Sequence, residues 1–132
     1  MATIVKAART LIAAGTTLVP GTPQRAAIDL RTSLGGAVTI RMTNGPTGPT
    51  AQAVCTIMQA HNDGATPATG AAGATWKPTG YTVGNGVLAN TDTFFPAFRF
   101  GPEIQHLQVQ FDGNTAQNAT VEAFMTENVS IG

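Results

Sequence analysis

The run Ala37-Val38-Thr39-Ile40-Arg41-Met42-Thr43 alternates apolar and polar side chains without a break. Successive side chains of a strand point to opposite faces, so Val38, Ile40 and Met42 share one face and Thr39, Arg41 and Thr43 the other. A helix would scatter the same residues around its axis. The period of two therefore predicts a half-buried strand.

The pattern recurs on both sides of this run. Leu107, Val109 and Phe111 alternate with Gln108 and Gln110. In Thr120 to Thr126, Val121, Ala123 and Met125 fall on one face and Phe124 on the other, which predicts that the second face is also partly covered. Ala26 to Arg31 reads as a strand with Ala26, Ile28 and Leu30 inward. Ala53 to Ala60 is more evenly apolar, as a central strand would be. A further strand is expected within Val83 to Phe95, and Thr3 to Thr10 is a weaker candidate. No long segment has helical period.

Turn residues punctuate these runs. Gly35-Gly36 precedes one strand, and Asp112-Gly113-Asn114 reads as a tight hairpin or short loop between two others. Asn44 to Thr50 holds two prolines, which cannot donate to a ladder. Residues 62–80 form the longest irregular stretch, with Trp76 and Tyr81 at its far end. Those two aromatics read either as a core plug beneath the loop or as contact anchors at an interface. About seven or eight short strands with regular turns imply an all-β antiparallel sandwich, jelly-roll-like, built from residues 26–132. Residues 1–25, interrupted by Gly15, Pro20, Gly21 and Pro23, are expected as an extended N-terminal arm or an edge strand.

Composition limits what such a domain does. Seven basic residues balance seven acidic ones, so the basic excess that phosphate binding needs is missing and no nucleic-acid partner is expected. Leu11 to Ala14 is too short to span a bilayer or to form a signal core, so no membrane partner is expected either. Charged residues make up 11% of the chain, against about 25% in ordinary globular domains. A surface of Thr, Ala, Gln and Asn suits a protein that faces other subunits. The charges are also segregated: Lys6, Arg9 and Arg25 stand alone in the first 25 residues, and only acids follow Arg99. A basic N-terminal segment meeting an acidic surface, on a neighbour or on its own C-terminal strand, would explain that. Lys6, Arg9, Leu11, Arg25 and Trp76 are accordingly the candidate interface residues.

Chemistry-bearing constellations are sparse. Cys55 has no second cysteine and reads as a small buried side chain. His61-Asn62-Asp63, followed by Gly64, reads as a turn. Glu103 and His106, three apart in extended chain, point to opposite faces. No phosphate loop, nucleophile elbow, zinc-protease helix or Cys-x-x-Cys pair occurs. No enzymatic activity, cofactor or metal is expected.

The stretch His106 to Phe124, with Phe111-Asp112-Gly113-Asn114-Thr115-Ala116-Gln117 followed by Thr120-Val121-Glu122-Ala123, resembles the end of small tailed-phage virion proteins. There a strand runs into a Phe-x-Gly-Asn-Thr-Gly-Gln turn and returns as Val-Thr-Val-Glu-Ala. Gly35 to Gly45 with Gly48-Pro49-Thr50, and the Asp63-Gly64 turn, resemble the same group, the jelly-roll cement or decoration proteins of phage capsids. Ala116 departs from the pattern, which has Gly there. The resemblance implies a structural protein of the virion, made in the bacterial cytoplasm. It would bind the capsid exterior, with the major capsid protein as partner and a homo-oligomer, most simply a two-fold dimer. Two other classes fit the sequence: a tail or head-fibre component, and a carbohydrate-binding β-sandwich module.

Overall fold

The computed structural model describes residues 3–131, and all of its regular structure is strand. In chain order the strands are β1 (Ile4–Leu18), β2 (Gln24–Asp29), β3 (Gly36–Asn44), β4 (Val54–Ala60), β5 (Lys77–Gly84), β6 (Asp92–Phe94), β7 (Phe98–Phe100), β8 (His106–Asp112) and β9 (Ala119–Ile131). Two antiparallel sheets form. The first runs β1-β9-β3-β6, with β7 also on β3; the second runs β2-β8-β4-β5.

The pairings are nested. β1 pairs with β9, β2 with β8, β3 with β6 and β7, and β4 with β5. The chain is thus doubled back on itself about the β4–β5 connection. Rolling that doubled ribbon adds the β3–β9 and β4–β8 ladders and closes two four-place sheets. This is the double-sheet jelly roll, with one strand place divided between β6 and β7.

The inner faces carry the residues that period-two alternation selects. Val38, Ile40 and Met42 of β3 meet Leu107, Val109 and Phe111 of β8, all 0% exposed. Cys55 and Ile57 of β4 and Val121, Ala123 and Met125 of β9 complete the same cluster. Burying side chains of this size stabilises by roughly 1.5–3 kcal/mol each.

Several expectations change. Of the two readings of the N-terminal segment, the edge strand is the one the structure has. β1 is a 15-residue edge strand of the first sheet, and its Ile12 and Leu18 lie in the core. β9 runs on to Ile131, well past the expected end at Thr126, and offers β1 an edge along its whole length. The expected boundary at residue 25 falls inside β2; Met1 and Ala2, counted in the arm, lie outside the described residues. The Asp112-Gly113-Asn114 segment is a short crossover between sheets and not a hairpin, because β8 and β9 belong to different sheets. The long loop ends at Trp76, since Lys77 already begins β5. The strand expected within Val83 to Phe95 is present as the three-residue β6, which ends at Phe94, and the end of β5 also falls in that stretch.

The Gly-Asn-Thr turn has a structural use. Gly113 takes φ +92°, open to glycine and strained for other residues. The buried Asn114 amide donates to Leu18 O at 3.0 Å and Gln117 O at 2.8 Å. Thr115 Oγ1 accepts from the Ala51 N–H at 2.9 Å. Asn114 and Thr115 thus tie the crossover to the end of β1 and to the β3–β4 loop. Ala116 sits at φ 71°, where a Cβ costs about 1–2 kcal/mol.

Candidate interaction surfaces

The ladders fix what each outer face presents. On the second sheet the rows read Arg25-Gln110-Thr56, Ala27-Gln108-Met58 and Asp29-His106-Ala60. Residues 61–76 lie over this face. Trp76, 2% exposed, packs on Met58, Ala60 and Ala27, and its Nε1–H donates to Ala68 O at 2.9 Å. The Gln108 amide grips Gly70 from both sides: Nε2 donates to its carbonyl at 2.6 Å and Oε1 accepts its N–H at 3.0 Å. The ring Nε2 of His106 lies 2.8 Å from Asn62 O. A carbonyl only accepts, so the network assigns the proton to Nε2. Nδ1 is buried without a hydrogen-bond partner, 3.9 Å from Asp29 Oδ1. The hydrogen bonds from Arg31 hold the Asp29 carboxyl down to about 2. Alternation alone leaves His106, Gln108 and Gln110 outward and gives no sign that a loop thirty residues earlier covers them.

The first sheet has no such cover among the described residues. Its outer rows are Ala8-Thr126-Ala37-Arg99, Thr10-Phe124-Thr39 and Thr17-Thr120-Thr43-Asp92, with Glu122-Arg41-Phe94 between the last two. Phe124 is 38% exposed and Phe94 58%, so no segment among the described residues lies over them. Arg41 organises one end of the face. It forks onto Asp92 through Nε and Nη2, both at 2.7 Å, reaches Glu122 with Nη1 at 3.3 Å, and lies over the Phe94 ring at 4.7 Å. The fork and the Thr43 hydroxyl hold Asp92 down to about 2. Arg41, Asp92 and Glu122 are 30 to 81 residues apart in sequence, and no local motif announces them; only the β3–β6 and β3–β9 registers bring them together.

The expected interface residues do not form one site. Lys6 is exposed near the start of β1. Arg9 pairs through Nε with Glu127 of β9, 4% exposed. The basic N-terminal segment therefore meets an acid on its own C-terminal strand. Leu11 is half-buried against the core and lines the groove between the β1 and β2 edges. Arg25 donates to Gln110 Oε1 at 2.6 Å on the far face of the other sheet. Trp76 is the plug beneath the loop, and its side chain is not available to a partner. Phe94, Phe124 and Arg99, all exposed, and the half-buried Arg41 are the surface residues that the pattern reading passed over. The one signal for them was the off-phase Phe124.

Burial pushes the Cys55 thiol well above its ordinary range, so it stays protonated at neutral pH. No three His, Cys, Asp or Glu side chains among the described residues group as a metal site. No described helix is long and apolar enough to cross a membrane.

Bare sheet and covered sheet together define a jelly-roll domain with one open face. No protein-family model and no curated protein matches the sequence. Solved structures do match in fold. One is a chain of infectious bursal disease virus, Gx strain, with TM-score 0.53 and 14% identity over 95% of this chain. Another is a chain of the VP2 subviral particle of that virus, with TM-score 0.54 and 10% identity over 95% of this chain. This chain spans 32% of the length of each. A looser likeness, TM-score 0.44 and 12% identity, is to the xylan-binding domain from CBM 22.

Proposed function

We propose that this chain is a structural protein of the virion, and specifically a cement or decoration protein. It binds the outside of an assembled phage head and holds neighbouring major capsid proteins together. The observation that carries this reading is the outer face of the first sheet, uncovered among the described residues, in a jelly-roll domain that shares its fold with chains of a virus and of a subviral particle. The low charge and the resemblance of the His106–Phe124 stretch to phage virion proteins support it further.

Cementing requires no bond-making chemistry. It requires area shared among several subunits, so that expansion of the shell has to break several contacts at once. A stable contact buries about 800 Å² per partner, and a flat face of Thr and Ala with two phenylalanines suits that task. Copies related by capsid symmetry would meet as a homo-oligomer, most simply across a two-fold axis.

Electron microscopy of particles assembled with and without the chain tests the reading. Density repeated over the head surface in hundreds of copies, absent from the particles without it, is the expected result. A few copies at a vertex or on the tail would give it another virion role, and no particle-associated density would sink the proposal.

A further inference from the structure

Seven cationic side chains are present, and three of them are neutralised internally: Arg9 by Glu127, Arg31 by Asp29, and Arg41 by Asp92 and Glu122. Among the described residues Lys6, Arg25, Lys77 and Arg99 have no Asp or Glu at ion-pair distance. Two of these four, Lys6 and Arg99, line one depression at the end of the first sheet, where β1 begins and β9 finishes. Thr126 and Asn128 add polar groups to its wall, and Ile4, Leu34 and Phe100 make it apolar.

The same end concentrates exposed apolar side chains. Ile4 is 51% exposed, Val5 45%, Leu34 42% and Ile131 65%. They are neighbours by register: Ile4 lies opposite Ile131, and the Leu34 N–H donates to Asn128 O at 2.7 Å. Cations without counter-charges, set in an apolar rim that excludes water on contact, are the arrangement in which a charge pair gains most from binding.

We infer that this end of the first sheet is a docking site for an acidic protein surface. A carboxylate of the partner enters between Lys6 and Arg99 while its apolar neighbours cover Ile4, Leu34 and Ile131. A second copy of this chain is the wrong occupant, because a two-fold contact centred here sets Lys6 and Arg99 against their own copies. The inference rests on the capsid-binding reading and adds which end binds and what it recognises.

Rebinding to heads assembled without this chain, followed by co-sedimentation, tests it. The wild-type protein should bind, and more weakly as salt rises from about 0.05 to 0.5 M. The double reversal Lys6→Glu, Arg99→Glu should lose about tenfold or more in affinity. Lys77→Glu, an equally exposed reversal on the edge of the second sheet, should bind as wild type does. Melting curves confirm that the variants are folded. Should the reversal melt early, Lys6→Gln with Arg99→Gln replaces it, with a loss of about threefold or more expected. Unchanged binding by the double variant overturns the inference and leaves the capsid reading standing. Equal losses in the double variant and in Lys77→Glu mean general attraction to an acidic shell and also overturn it. A wild-type protein that does not bind heads overturns both.

Discussion

The two sheets of this sandwich share one core and differ on their outer faces. On the second sheet, residues 61–76 bury the Met58, Ala60, Gln108 and His106 side chains, which strand alternation alone would leave in water. On the first, Phe94 and Phe124 stay in the open beside Thr and Ala. The chain devotes its longest irregular segment and its only tryptophan to closing one face, and no described segment to the other. On the proposed capsid-binding reading, the bare face is the one that another molecule covers. The covered sheet is where stability is expected to reside, and the bare one is where binding is.

Substitutions separate the two. Trp76→Ala removes the plug of the covered face and should cost about 3–5 kcal/mol in denaturant unfolding, with faster amide exchange across residues 61–75. A cost below that of any change on the bare face would break the distinction. Gln108→Ala leaves both backbone groups of Gly70 unpaired and should cost about 2 kcal/mol by the same measurement. Ala116→Gly relieves the left-handed backbone in the turn that carries the chain from the covered sheet to the bare one. It should raise stability by about 1 kcal/mol, seen as a higher melting temperature. Phe124→Ser on the bare face should move stability by no more than about 0.5 kcal/mol while weakening binding to heads. A large stability loss there would show that Phe124 serves the fold.

What could be read in advance follows the length and regularity of each element. β3 and β8 keep strict alternation over seven residues, the first part of β9 departs from it only at Phe124, and their inner residues are the ones that period selects. β1 reads poorly because bulges break its register near Val5, Thr10 and Ile12, so apolar and polar positions fall out of phase along it. β5 contains Pro78 and Gly80 and is exposed at alternate positions, which disguised it as the end of a loop. β6 and β7 are three residues each, too short for any period to show. The surfaces were less legible than the core. Alternation tells which side a residue faces and nothing of whether another segment lies over that side. Lys6 and Arg99 meet at one depression only because β1 and β7 flank the β9–β3 pair, a relation set by global topology.

The nested pairing also dictates a schedule. Ile4 finds its partner at Ile131, and each ladder farther from the β4–β5 turn joins residues farther apart in the chain. Contacts of such long separation form slowly, because the loop they close must first be brought together. On a ribosome adding ~5–20 residues per second, β9 emerges roughly 6–23 s after β1. During that wait a fifteen-residue strand carrying only Lys6 and Arg9 as charges has no native neighbour. Any other strand edge within reach competes with β9 for it, so the yield of correctly rolled protein should depend on how fast the last dozen residues are delivered.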